Sequence, residues 1–158
     1  MVEDQVEADF DRARRRAFFG SLKTRFLGGR GRLLSFDEVR KALRANNRFY
    51  LGSKVVEVSK IVGSVGRYRE FDRDFMPAKS SLGHRWRRVD GAFRRGKELP
   101  AVSLYKIGDA YFVADGNHRV SVARYQGAEM IDAEVTQFGA WLSVVGLEVS
   151  NPDLAVAC

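Results

Sequence analysis

The most informative part of the sequence is Tyr111-Phe112-Val113-Ala114-Asp115-Gly116-Asn117-His118-Arg119-Val120-Ser121-Val122-Ala123-Arg124, in which an apolar strand is predicted to run directly into an Asp-Gly turn and then a helix. The first backbone N–H groups of a helix have no partner within the helix, and the helix dipole adds partial positive charge there. Gly116 lets the backbone approach a bound oxyanion closely. We therefore predict an anion site in which Asn117 caps the helix, while His118 and Arg119 supply cationic side-chain donors.

The remaining elements are predicted from apolar periodicity, capping residues and glycine breaks. The clearest signal is Gly108-Asp109 between two apolar runs, which predicts an antiparallel hairpin. In chain order, the predicted elements are helices over 6–27 and 35–45, a strand over 55–61, a loop over 63–79, a helix over 81–95, hairpin strands over 102–107 and 110–114, a helix over 118–127, and a strand over 131–135.

These elements divide the chain into three predicted parts: a helical extension over 1–50, a sheet domain over 51–136 and a C-terminal segment over 137–158. The first helix is amphipathic, with arginines between its apolar positions. Because Phe18, Phe19 and Phe26 are more apolar surface than a lone extension can hide, we expect it to pack on the domain, on a second copy or on another protein. Residues up to Asn47 are expected to lie apart from the sheet.

The charge, the cysteine content and the apolar runs of the sequence indicate which classes of partner the protein is expected to bind. The 158 residues carry a formal charge of +7, which favours polyanions such as nucleotides or nucleic acid. Cys158 is the single cysteine, so a disulfide framework is excluded and a reducing, cytoplasmic setting is expected. No apolar run approaches the ~18 residues of a membrane span, and no membrane partner is expected.

A second candidate site follows the first predicted strand, in the segment from Gly63 to Asp74. Its glycine pair could expose consecutive N–H groups to an anion, and Arg67 and Arg69 could add positive charge. Its carboxylates could accept a proton or bind Mg²⁺. The alternative, a solvated loop with local ion pairs, stays equally open.

Over residues 55–135 the sequence resembles the ParB/sulfiredoxin superfamily. The resemblance rests on the strand entry Gly96-Lys97-Glu98-Leu99-Pro100-Ala101-Val102, on the Gly108-Asp109 hairpin and on the turn Asp115-Gly116-Asn117-His118-Arg119. It implies an α+β domain, with a small mixed sheet and packed helices, preceded here by the helical extension. In the superfamily this turn holds nucleotide phosphates, which implies that Gly116, Asn117, His118 and Arg119 bind them.

The resemblance also suggests roles for the loop after the first strand. In ParB-like proteins that loop supplies arginines to the nucleotide site, which points to Arg67 and Arg69. In the related free serine kinases it supplies a catalytic acidic residue, which points to Glu70. Sulfiredoxin chemistry itself is excluded, because it needs a cysteine thiolate in the turn where this chain has Asn117.

The leading hypothesis is a nucleotide-binding protein that transfers a phosphoryl group or hydrolyses a nucleotide, with Mg²⁺ as cofactor. The Asp115 turn would hold phosphates and Mg²⁺, with Asp115 as the metal ligand, while Glu70 or Asp72 positions or deprotonates the acceptor. The competing hypothesis is a non-enzymatic DNA- or RNA-binding domain that uses arginines of the 81–95 helix. Those residues are Arg85, Arg87, Arg88, Arg94 and Arg95.

Overall fold

The computed structural model describes residues 1–27 and 32–139, with side chains described over 1–17 and 32–139. The helices in this part of the chain are α1 (Val2–Leu27), α2 (Phe36–Ala42), α3 (Gly83–Arg94) and α4 (Asn117–Tyr125). The strands are β1 (Leu34–Ser35), β2 (Asn47–Glu57), β3 (Ile61–Ser64), β4 (Val102–Ile107), β5 (Ala110–Asp115) and β6 (Met130–Gly139). Short 3-10 helices cover Val58–Lys60 and Ser80–Leu82.

The described strands form one six-stranded mixed sheet in the order β1-β3-β5-β4-β6-β2. The pairs β3–β5 and β4–β6 are parallel, whereas β4–β5 and β2–β6 are antiparallel. The α+β fold class, a small mixed sheet with packed helices after an N-terminal helix, is therefore confirmed. The predicted hairpin around Gly108-Asp109 and the left-handed residue Gly127 after α4, with φ of 75°, are confirmed too.

The prediction that residues up to Asn47 lie apart from the sheet is wrong. Leu34 and Ser35 pair in parallel with Gly63 and Ser64 at one edge of the sheet. The Phe36 ring, at the start of α2, then packs edge-on against Phe112 of β5 at a centroid distance of 5.6 Å. A two-residue strand has no periodicity of its own, so only its pairing with β3 identifies it.

The predicted strand over 55–61 and the predicted break at Gly63 also need correction. The strand in this region, β2, runs from Asn47 to Glu57 along the other edge of the sheet, and most of its residues are exposed on both faces. Without one buried face it shows no alternation of apolar and polar residues. Gly63 lies inside β3, where an added Cβ would stand 2.4 Å from the Leu34 carbonyl oxygen. It is a point of close strand approach rather than a loop residue.

The core lies between the sheet and the α3–α4 layer. Trp86 of α3 is fully buried, and its indole Nε1 donates a hydrogen bond to Ser121 Oγ of α4 at 2.8 Å. The apolar stripe of α1 closes this layer, since Val6, Phe10 and Ala13 are buried. The structure describes neither the side chains of Phe18, Phe19 and Phe26 nor residues 140–158. The predictions for these residues therefore lie outside the described part of the chain.

Candidate functional site

The strand–turn–helix junction lies at the edge of the sheet where two parallel strands end. Since β3 and β5 are parallel, the loop after Ser64 and the turn after Asp115 start side by side. Ser64 Oγ donates to the Val113 carbonyl at 3.3 Å and accepts from the Arg67 backbone N–H at 3.3 Å. In open sheets, ligands bind where the carboxyl ends of parallel strands meet. The two segments predicted to share a site are therefore neighbours.

Gly116 gives the junction its shape. It is the residue that precedes α4, and its φ of 102° is one that residues with a side chain rarely adopt. An added Cβ would lie 2.7 Å from Val102 Cγ1 and 3.1 Å from the Arg119 guanidinium. Both the conformation and the space therefore require glycine, and the backbone can pass close to a ligand there.

The prediction that Asn117 caps α4 is wrong, because Gly116 occupies the capping position and Asn117 is the first residue of the helix. Asn117 is 7% exposed, and its side-chain Oδ1 has no hydrogen-bond partner among the described residues. A buried amide without a partner is costly. It marks a position where a ligand group could supply the missing bond.

His118 is buried beneath the same turn. Its ring packs edge-on against Phe71 of the loop after β3, with centroids 5.4 Å apart. Burial is the main cause that lowers its pKa to about 4, and the nearby positive charges of Arg67 and Arg85 contribute to the same shift. The imidazole is therefore neutral at pH 7, which corrects the prediction of a cationic donor. Its buried Nδ1 has no partner in the described part of the chain.

The Arg119 guanidinium forms hydrogen bonds with other residues of the protein. Its Nη1 donates to the carbonyl oxygens of Pro100 and Ala101 at 2.6 and 2.8 Å, and its Nη2 pairs with Asp115 Oδ2 at 2.7 Å. These bonds tie the turn to the strand entry before β4. The Asp115 side chain is 77% exposed, so this pair lies at the surface. Phosphate binding by Arg119 and Mg²⁺ binding by Asp115 stay predictions.

Arg67 and Glu70 form one ion pair in the loop, with Arg67 Nη1 3.0 Å from Glu70 Oε2. The positive charge of Arg67 helps to lower the pKa of His118, so the loop and the α4 turn interact electrostatically. Arg85 of α3 also lowers the pKa of His118. The sequence analysis assigns Arg85 only to the possible nucleic-acid interface. Periodicity cannot indicate this interaction, because Arg85 and His118 belong to different helices.

Arg69 and Asp72, the other predicted site residues of this loop, contact residues of the loop itself. The exposed Arg69 guanidinium stacks over the ring of Tyr68 at 5.6 Å. Asp72 Oδ1 accepts the backbone N–H groups of Asp74 and Met76, at 2.9 and 2.8 Å, and so shapes its own loop. Burial raises the pKa of Asp72. Their predicted roles in nucleotide binding and catalysis stay predictions.

The fit of Mg²⁺ depends on the available oxygen ligands. No group of three or more histidine, cysteine or acidic side chains lies together within the described ranges. Mg²⁺ is commonly held by one or two carboxylates together with substrate phosphates. One exposed carboxylate at the turn, Asp115, fits a metal that arrives with a nucleotide rather than a metal held by the protein alone.

Arginines of α3, expected in the competing hypothesis to contact nucleic acid, largely bind α1 instead. Arg87 Nη1 lies 3.2 Å from Glu7 and Arg95 Nη2 lies 2.7 Å from Glu3, while Arg94 pairs with Asp9. These three side chains are used in joining the two helices. Exposed Arg88 remains on the outer surface of α3.

Comparisons with known proteins find a distant likeness to a solved structure. No protein-family model matches the sequence, and no curated protein matches it. Among solved structures, sulfiredoxin from Arabidopsis thaliana matches with 14% sequence identity and a TM-score of 0.40, over 60% of this chain and 93% of that chain. A likeness this distant carries no argument about activity.

None of the described helices is both long and apolar enough to span a membrane.

The buried neutral state of His118 predicts a pH-dependent stability. The unfolded chain takes up the proton near pH 6.5 and the folded chain only near pH 4, so the free energy of unfolding falls as the pH drops through this window. The expected loss is about 3 kcal/mol, since each tenfold change in proton affinity is worth about 1.4 kcal/mol. Urea denaturation at several pH values should show this loss in the wild type and not in His118→Gln. His84→Gln, at an exposed histidine, is the control, and parallel curves for all three proteins would contradict the prediction.

Proposed function

We propose that this chain binds a nucleotide, with the phosphates at the amino end of α4 and Arg67 beside them. The observation that carries the proposal is the first turn of α4 after a positive-φ glycine, in which two buried polar atoms, Asn117 Oδ1 and His118 Nδ1, have no partners in the described residues. Asn117 Oδ1 accepts hydrogen bonds, so it would pair with a hydroxyl or N–H group of the nucleotide rather than with a phosphate oxygen. The backbone N–H groups of that turn attract an anion.

Charge at this point supports a phosphate rather than a neutral ligand. Arg67 and Arg85 both lie close enough to lower the pKa of His118. Guanidinium groups bind phosphate with two parallel hydrogen bonds. Neutral His118 and the buried amide can then orient the ligand by hydrogen bonding, because the surrounding arginines supply the positive charge.

The proposed chemistry is phosphoryl transfer or nucleotide hydrolysis with Mg²⁺ bound to the nucleotide. Mg²⁺ would neutralise charge on the phosphates, and Asp115 is the exposed carboxylate that could help to hold it. Glu70 is the proposed catalytic base, because its ion pair with Arg67 fixes a carboxylate next to the turn. A base in this position would accept the proton of the attacking hydroxyl group.

A binding experiment tests the first part of the proposal. ATP, ADP, CTP and GTP, each with and without Mg²⁺, are added to the wild type and to Arg67→Ala. We expect at least one nucleotide to bind, and its affinity to fall at least tenfold in Arg67→Ala, because a charge-assisted hydrogen bond is worth about 1.5–3 kcal/mol. Calorimetry measures both affinities.

Two further readouts locate the nucleotide. Lys41→Ala removes one exposed positive charge from α2 and should leave the affinity unchanged. Bound phosphate should raise the pKa of His118, which NMR can follow, because an adjacent anion favours the protonated ring. If no nucleotide binds, or if Lys41→Ala weakens binding as much as Arg67→Ala does, the proposal is rejected.

A further inference from the structure

A second charged cavity lies away from the α4 turn, between α1, the loop after β3 and the far end of α4. Its volume is about 670 Å³, within the range of small-molecule sites. Asp72, Asp74 and Met76 come from the loop and Arg124 from α4. The residues contributed by α1 are Arg12, Arg15 and Arg16.

Most of the positive charge lining this cavity is not neutralised by close ion pairs. Arg15 forms no ion pair within 4.0 Å with a described residue, and Arg12 approaches Asp9 only to 3.6 Å. The Arg16 guanidinium lies over the ring of Tyr125 at 5.0 Å. A cluster of guanidinium groups in this state attracts an anion.

Arg124 contributes a half-buried cation at the α4 side. Its Nη2 donates to the carbonyl oxygens of Val58 and Ile61, at 3.0 and 2.7 Å, while its buried Nε has no partner in the described part of the chain. Burial lowers the pKa of Arg124, and the negative charges of Asp74 and Asp72 act in the opposite direction, yet neither carboxylate lies within 4.0 Å of it. Arg124 and the two carboxylates therefore line the same cavity without forming an ion pair across it.

We infer that this cavity binds a soluble sugar phosphate. A phosphomonoester carries a charge close to −2 at neutral pH, which suits four guanidinium groups that face only two carboxylates. The hydrogen bonds that Asp72 accepts from described residues all go to Oδ1, which leaves Oδ2 to accept from a ligand hydroxyl group. The volume exceeds what a phosphate group fills, so a sugar-sized body has space beside Met76.

This site is separate from the proposed nucleotide site, in which Glu70 and not Asp72 is the proposed catalytic base. Arg124 lies seven residues after Asn117 on α4, which corresponds to about 10 Å along the helix. The cationic side also comes from α1, which precedes the sheet. Failure of nucleotide binding would therefore leave this inference standing, and its own failure would leave the nucleotide proposal standing.

The test measures binding of glucose 6-phosphate, inorganic phosphate and glucose to the full chain by calorimetry. Glucose 6-phosphate should bind at least tenfold more tightly than inorganic phosphate, because it uses both the guanidinium groups and Asp72, and glucose should not bind. Arg15→Ala should weaken glucose 6-phosphate at least tenfold. Arg14→Ala, which removes the neighbouring exposed arginine outside the cavity lining, should change it less than twofold.

Asp72→Asn separates the two kinds of contact. It should weaken glucose 6-phosphate without weakening inorganic phosphate, because only the sugar hydroxyl groups use that carboxylate as an acceptor, and the loss of its negative charge does not oppose an anion. The inference is overturned if glucose 6-phosphate does not bind at about 10 mM, which would put its binding free energy below about 3 kcal/mol. It is also overturned if Arg14→Ala and Arg15→Ala act alike, or if a single-stranded oligonucleotide binds more tightly with the same dependence on Arg15.

Discussion

Asp9→Ala is expected to lower the free energy of unfolding by about 3 kcal/mol, because it leaves a partly buried guanidinium without its main partner. Asp9 is 1% exposed and accepts a hydrogen bond from Arg94 Nε at 2.7 Å. The Tyr125 hydroxyl donates to the same carboxylate at 3.0 Å. One side chain of α1 thus joins α3 and α4.

The protonation of Asp9 sets the pH range of this contribution. Burial by itself would raise the pKa of Asp9, but the hydrogen bonds from Arg94 and Tyr125 outweigh it, and the pKa is lowered. A lowered carboxylate pKa stabilises the fold above the unfolded value of about 3.9, and the contribution is lost as the pH falls through the folded value. The full effect of Asp9→Ala should therefore be present at pH 7.

Urea denaturation followed by tryptophan fluorescence measures this loss, since Trp86 packs against Phe10 of α1 at a centroid distance of 5.7 Å. Asp11→Ala removes an exposed acid from the same helix and should cost less than about 0.5 kcal/mol. Equal effects of the two substitutions would show that Asp9 does not hold α1 to the domain.

The contacts of Asp9 also show why part of the structure could not be predicted from the sequence. Asp9 and Arg94 are 85 residues apart, and nothing local to either residue indicates the other. The hairpin at Gly108-Asp109 and the strand–turn–helix at Gly116 could be predicted, because both depend on neighbouring residues and on the conformational freedom of glycine. The edge strand Leu34–Ser35 could not, since it exists through its pairing with β3.

The candidate site divides in the same way. The sequence places Gly116, Asn117 and His118 at the start of a helix that follows a strand, and the structure has them there; anion binding at this helix start stays a prediction. The sequence does not indicate that His118 is buried and neutral, because the loss of its charge depends on burial and on Arg67 and Arg85 from other elements. The approach of Arg85 to this turn was missed for the same reason.

Catalysis is tested most directly at Glu70. If the nucleotide proposal holds, Glu70→Gln should keep nucleotide affinity and lose about 10²–10⁴-fold in phosphoryl transfer or hydrolysis, the contribution expected of a general base. Glutamine keeps the size of the side chain and can still accept a hydrogen bond from Arg67, but it cannot take the proton of an attacking hydroxyl group. Binding and turnover should therefore separate.

The measurement is single-turnover release or transfer of labelled phosphate at saturating nucleotide, with water and small hydroxyl compounds as acceptors. Arg67→Ala should lose both affinity and turnover, because the removed charge contacts the phosphates before and during the reaction. Glu38→Gln, an exposed acid on α2, should change neither. If the wild type and Glu70→Gln are equally inert with every acceptor, while nucleotide still binds, the Arg67–Glu70 pair serves only binding, and the enzyme proposal gives way to a nucleotide-binding module.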